Sequence, residues 1–282
     1  MNFPEALRIH VAAYVDWFVR WLKVTCGPFF DALSSIVLWT IIKLETFLFW
    51  LPWWVLLLAV FFLSWRLKNL KSAALYTFLL ALIGTFGLWN SMLQTLAIVL
   101  ISVFISVLLG IPLGILMAYS DRFSLFMRPL LDGMQTMPSY VYLIPAIIFF
   151  SIGKVPAVFA AIIYAIPPIV RLTDLGIRSV PKEMLEAAHS FGSSNWQTLT
   201  KIQLPQAFPT IMAGINQTTM MALAMVVIAS LVGARGLGLD VLRAIQRIEV
   251  GKGFEAGISI VFLAIIIDRL TQSISERYKY PK

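Results

Sequence analysis

Side chains able to do covalent or metal chemistry are scarce in this sequence. The histidines are His10 and His189 and the one cysteine is Cys26, so neither an intrachain disulfide nor a His/Cys metal cluster is expected. No GxxxxGK[ST] stretch occurs, so the chain has no phosphate-cradling loop with which to hydrolyse ATP. The apolar runs also lack the His, Ser and carboxylate clusters that a membrane-embedded enzyme would need. The informative spacing lies in Glu186 to Pro205, EAAHSFGSSNWQTLTKIQLP, a long polar interval in an otherwise apolar second half. Its chemistry is that of a docking surface. Ala187 and Ala188 leave little side chain on one helical face, where another protein's surface can approach closely.

The local signals around it predict a helix, a turn and a second helix. Pro181 suits a first helical turn, and Glu183 complements the partial positive charge there. Gly192 can take the left-handed conformation that stops a helix. Ser194 with Gln197 three residues on forms a capping box for the next helix, expected to end at Leu204, where Pro205 and Pro209 redirect the chain.

The elements that hold this interval are membrane spans. Hydrophobic residues make up 60% of the 282 and charged residues 13%, against roughly 45–50% apolar content in soluble domains. The formal charge of +8 sits mostly at the ends of apolar runs, as orientation signals do, and forms no basic stripe for nucleic acid. The chain is therefore expected to be all-α and polytopic, with about seven transmembrane helices. No secretory leader is expected, because Asp16, Arg20 and Lys23 interrupt the first apolar run.

Residues 1–49 are expected to be an interfacial, extracytoplasmic amphipathic segment. Tyr14, Trp17, Phe18, Trp21 and Leu22 fall on one helical face and Asp16, Arg20 and Lys23 on the other. A true span over 29–49 is the alternative. Residues 50–89 hold two accessory spans, 50–65 and 72–89, the first with aromatic residues at both ends. A core follows over 90–272. It begins with the run Ser91–Tyr119, where Gly110 and Gly114 form a GxxxG close-packing face and Pro112 permits a kink. Residues 129–152 predict a short helix, a break near Met137-Pro138 and a span ending near Phe150. Spans at 155–173, 208–232 and 254–272 complete the seven, with the polar loop at 176–205 and a Gly-rich loop at 233–253. Residues 273–282 form a basic cytoplasmic tail. With the 176–205 loop inside, the N-terminus lies outside and the C-terminus inside, and the distribution of Lys and Arg agrees modestly.

The spacing Glu186-Ala187-Ala188, Gly192, Ile202, Leu204-Pro205 resembles the coupling-loop signature of ABC importer permeases, matching it without a gap. The stretches MQTMPSYVYLIPA (134–146), IPPIVRLTDLGIRSVP (166–181), PTIMAGINQTTMMALAMVVIAS (209–230) and GFEAGISIVFLAIIIDRLTQ (253–272) are similar to the permeases of glycine betaine and proline betaine importers. Arg235 departs from the small residue usual there. The resemblance covers residues 50–272. It implies the type I ABC importer permease core in a bacterial plasma (inner) membrane, with a second copy of this chain as partner. Two copies of an ABC ATPase carrying ATP and Mg, and an extracytoplasmic substrate-binding protein, complete the assembly. The chain itself would hold no cofactor. Transport would be by alternating access, with Glu186, Ala187, Ala188, Gly192, Ile202, Leu204 and Pro205 coupling it to the ATPase.

A quaternary ammonium has no N–H to donate and is held by aromatic faces, and in such importers that cage belongs to the binding protein. The candidate translocation path is Gln135, Met137, Tyr140, Tyr142, Asn216 and Gln217, each of which can equally serve interhelical hydrogen bonding and packing. Choline, carnitine, trimethylamine N-oxide and dimethylsulfoniopropionate are alternative cargoes. An ion-coupled secondary transporter is the competing class.

Overall fold

A computed structural model describes residues 11–277, and all regular elements among them are helical. Thirteen α-helices are defined: α1 (Val11–Thr25), α2 (Gly27–Trp50), α3 (Trp53–Leu67), α4 (Leu70–Thr85), α5 (Trp89–Tyr119), α6 (Asp121–Thr136), α7 (Leu143–Phe150), α8 (Lys154–Arg178), α9 (Lys182–Ser190), α10 (Asn195–Thr198), α11 (Leu204–Ile228), α12 (Leu237–Arg247) and α13 (Val250–Arg277). The first ten residues of the expected amphipathic segment and the last five of the tail lie outside the described residues.

Four of the expected spans, α5, α8, α11 and α13, are long and apolar enough to cross a membrane. The other three correspond to α3, α4 and the pair formed by a 3₁₀ turn (Ser139–Tyr142) and α7, all shorter. A fifth long apolar helix is α2, where the sequence suggested an interfacial segment.

At the centre, α8 is enclosed by α5 and α11, and glycines set the distances. A Cβ on Gly110 would stand 2.3 Å from Ile169 Cγ2, and one on Gly114 would stand 2.5 Å from Thr173 Cβ and 2.7 Å from the Val170 carbonyl oxygen. The GxxxG face therefore packs α5 directly on α8, parallel to it. Gly176 and Gly214 do the same between α8 and the antiparallel α11, against Ala207 and Leu172 respectively. Pro112 stays inside an unbroken α5.

The break expected near Met137-Pro138 is present. Met137 is extended (φ −65°, ψ 137°), a 3₁₀ turn follows, and α7 runs on from it. Together α6, the turn and α7 form one discontinuous crossing antiparallel to α8. Asp121 pairs with Arg178 near one end, the Tyr142 and Tyr164 rings meet in the middle, and Phe150 stacks on Phe159 near the other. Tyr142 donates its hydroxyl to the Met134 carbonyl across the break, satisfying one acceptor that the interrupted helix exposes.

The end of the bundle away from α9 and α10 is closed by one backbone–backbone and one backbone–side-chain hydrogen bond. Gly153 N–H donates to the Val232 carbonyl (3.0 Å) and Leu237 N–H to Thr95 Oγ1 (2.9 Å). The 233–253 stretch is not the polar loop its glycines suggested, because most of it is α12. Gly236 (φ +138°) starts that helix, and Gly238 lets it lie on the backbone of Val227, 2.8 Å from where a Cβ would be. Here glycine serves close packing, which composition alone misreads as flexibility.

Helix α2 runs obliquely over this same end. Phe30 stacks on Phe149 while Glu45, about 22 Å further along the helix, pairs with Lys154 on the neighbouring turn. In α1 both faces are open: Tyr14, Trp17, Phe18 and Trp21 are exposed, and so are Asp16, Arg20 and Lys23.

Candidate functional site

The polar interval folds from its own caps. α9 follows Pro181, carries Glu183 in its first turn and ends at Phe191. Gly192 (φ +78°) closes it with the two bonds of a Schellman turn, its N–H donating to the His189 carbonyl (2.9 Å) and the Ser193 N–H to the Ala188 carbonyl (3.1 Å). Both halves of the Ser194/Gln197 capping box form and start α10. Ser193 Oγ and Thr198 Oγ1, 2.9 Å apart, tie the turn to the second helix.

The expected end at Leu204 does not occur. α10 passes through a π turn (Leu199–Gln203) into α11 with no break in helical backbone. The Leu204 N–H reaches back to the Leu199 carbonyl, and Pro205 falls in the first turn of α11, where its missing N–H is tolerated. Pro209 lies within α11. The side-chain bond from Tyr119 to Gln203 anchors this turn to the end of α5. Movement of the exposed loop thus has a stiff helical route into the bundle.

The seven signature residues divide by position. Glu186, Ala187 and Gly192 are exposed, Ala188 is buried, and Ile202, Leu204 and Pro205 are half-buried at the base. Two residues that pattern reading passed over dominate the surface: Phe191 is 92% exposed and Trp196 71%, with Met184 beside them also exposed. An isolated Phe directly before a helix-stopping glycine, in a polar interval, was the available signal.

The candidate path residues separate as well. Gln135, Met137 and Tyr140, around the break, are exposed, as is Gln217 on α11, against which the 3₁₀ turn packs. Tyr142 is buried. Asn216 turns the other way and donates to Asp268 Oδ1 on α13 (2.7 Å), where Gln272 also donates (2.8 Å) and Arg269 approaches at 3.8 Å. On α11 the open face is Ala213, Gln217, Met220 and Ala224, two small residues, one polar and one flexible thioether. The open face of α5 carries Phe104, Leu108 and Leu116, as lipid contact demands. The exposed faces of α11 and of the α6–α7 break thus differ in side-chain chemistry from the exposed face of α5.

Charge concentrates in a groove lined by Met117, Arg128, Asp132, Arg171, Asp174, Leu175 and Arg178, on the side of the bundle that leads into α9. Arg178 donates through Nε to Asp174 (2.7 Å), through Nη1 to Asp121 (2.8 Å) and through Nη2 to the Met117 carbonyl (2.6 Å). Arg128 lies 3.8 Å from Asp174, and Arg171 pairs with Asp132.

An exposed helix–turn–helix thus lies between two long apolar helices, α8 and α11, beside a charged groove. The family model described as "Binding-protein-dependent transport system inner membrane component" matches residues 110–280, and the chain belongs to that family. It is 46% identical over 273 residues to the glycine betaine transport system permease protein OpuAB of Bacillus subtilis, covering 96% of each chain. It is 47% identical to the glycine betaine/carnitine transport permease protein GbuB of Listeria monocytogenes, over 98% of this chain and 99% of that one. For the glycine betaine/proline betaine permease ProW of Escherichia coli the identity is 44%, over 92% and 72% respectively. The fold matches an inward-facing MetNI methionine ABC transporter chain with a TM-score of 0.62, at 21% identity, over 68% of this chain and 96% of that one. The protein is an inner-membrane ABC importer permease with the type I fold.

Proposed function

We propose that this permease carries a methylated compatible solute of the glycine betaine or proline betaine type into the cell, driven by ATP hydrolysed on a partner. The observation that carries the reading is the exposed loop, with the whole signature from Glu186 to Pro205 in register. The names of its relatives support the cargo. The loop docks on an ABC ATPase that binds ATP and Mg, and Phe191 and Trp196 are the apolar anchors of that contact, in keeping with the place of aromatic residues at interface hot spots. Two copies of this chain enclose the groove, two ATPases bind beneath them, and a substrate-binding protein delivers cargo from the opposite face. The loop, and with it the C-terminus, lies in the cytoplasm and the N-terminus outside. Residues 1–49 sit at the outer membrane–water interface, an arrangement favoured by the exposed Trp and Phe of α1 and the oblique course of α2. Residues 50–89 are accessory to the 90–272 core.

Gln135, Met137, Tyr140 and Gln217 line the path. Tyr142 supports the break from behind, and Asn216 holds α11 to α13. The test is ATP hydrolysis by the assembled complex in vesicles, with binding protein and glycine betaine, choline, trimethylamine N-oxide or dimethylsulfoniopropionate. Stimulation by glycine betaine is expected. Hydrolysis indifferent to all four would contradict the reading.

A further inference from the structure

The groove contains an ion pair unlike its neighbours. Asp174 is shared by Arg178 and Arg128, and Asp121 is held by Arg178, which also grips the Met117 carbonyl. Arg171 and Asp132, in contrast, make their ionic contact with each other among the described residues. The pair uses Arg171 Nη2 and Asp132 Oδ1, while Arg171 Nε is buried with no acceptor. A guanidinium engages a carboxylate best through two parallel N–H groups. The Nε–Nη2 edge of Arg171 is therefore only half used.

Position places the pair in the groove. On α8, Ile169, Val170 and Thr173 face α5, and Leu172 and Gly176 face α11. Tyr164, Arg171 and Leu175, at i, i+7 and i+11, share the remaining face, and all three are at least partly open. Asp132 lies one helical turn before Gln135 on α6, and both are exposed. Arg171 and Asp132 both line the open groove of about 330 Å³ that also holds Asp174 and Arg178.

We infer that Arg171 and Asp132 form a transient site for a zwitterionic cargo, the carboxylate taking the Arg171 Nε–Nη2 edge while the cationic end faces Asp132. This rests on the proposed betaine function and adds to it a reason for selecting zwitterions within the permease. The exchange is one ion pair for two, so net charge in the groove is unchanged and no proton moves. Each charge of the cargo replaces the partner it displaces, so binding is shallow and release remains fast. A cation without a carboxylate would open the pair and leave Arg171 without a counter-charge.

The experiment measures uptake of labelled glycine betaine by the complete complex, with ATPase and binding protein, in proteoliposomes. Arg171→Gln, Arg171→Lys and the double variant Arg171→Leu/Asp132→Leu are compared with the wild type. Maximal uptake should fall about tenfold or more in Arg171→Gln, less in Arg171→Lys, which keeps charge but loses the two-donor edge. The cargo concentration for half-maximal uptake, set by the binding protein, should not move. The double Leu variant is decisive: apolar replacement of a merely structural ion pair is often neutral, whereas a cargo site would be abolished. Near-normal uptake in the double variant overturns the inference. So does a loss accompanied by an equal loss of assembly or melting temperature. A wild-type complex inactive toward every methylated zwitterion would instead overturn the functional reading beneath it.

Discussion

Gly192 offers the sharpest perturbation of the coupling loop. Its φ of +78° lies in the left-handed region, and no atom stands within 4 Å of where its Cβ would be. A substitution there meets open space, so its effect is conformational strain and not a clash. For an L-residue other than Asn or Asp that strain is roughly 1–2 kcal/mol, equivalent to about a 5–30-fold loss in the population of the native turn. Relief by unwinding would break the bonds to the Ala188 and His189 carbonyls and displace Phe191, the most exposed large apolar residue of the loop. Gly192→Leu should therefore reduce cargo-stimulated ATP hydrolysis by several-fold to tenfold or so, while the amount of permease in the membrane stays normal. Gly192→Asn, which tolerates the left-handed region, should retain most of the stimulation. The assay is ATPase activity with and without loaded binding protein for both variants, beside a membrane blot. Full coupling in Gly192→Leu, or equal loss in Leu and Asn, would refute the strain argument.

Three further outcomes follow from packing. Gly114→Ala should lower the melting temperature of the purified permease, because its Cβ would meet the Val170 carbonyl oxygen at 2.7 Å, which has no rotamer by which to yield. Such overpacking costs about 1–3 kcal/mol, and Gly133→Ala, with nothing within 4 Å, is the control that should not. Lys154→Met strands the buried Glu45 and should destabilise the attachment of α2 by about 1–3 kcal/mol, with much of that recovered in Glu45→Leu/Lys154→Met, read as thermal unfolding of single and double variants. Asn216→Leu should cost only about 0.6 kcal/mol, the usual interhelical hydrogen bond, and leave uptake near normal. A severe transport defect with unchanged stability would put Asn216 back in the path.

The parts that were legible in the sequence are those specified locally. The Schellman glycine, the capping box and the GxxxG face each depend on residues within a few positions, and each is found as expected. The break at Met137-Pro138 was equally legible, because proline restricts both itself and its predecessor. What pattern reading missed depends on distant partners or on unusual backbone. Pro205 signals a stop, yet the π turn before it lets the helix continue. The glycines of 233–253 suggest a loop, yet two of them make room for Thr95 and Val227 from other helices. Arg171 and Asp132 stand 39 positions apart in sequence, and no periodicity links them. The bond from Asn216 to Asp268 spans 52 positions and is likewise invisible to local pattern.

The central claim is ATP-driven import of a methylated solute through this chain. It is tested most directly by uptake of labelled glycine betaine into proteoliposomes holding the permease, its ATPase and its binding protein, with ion gradients collapsed. Accumulation above the external concentration that requires ATP and is lost in Gly192→Leu is the predicted result. Uptake that ignores ATP and follows an imposed sodium or proton gradient would contradict the account.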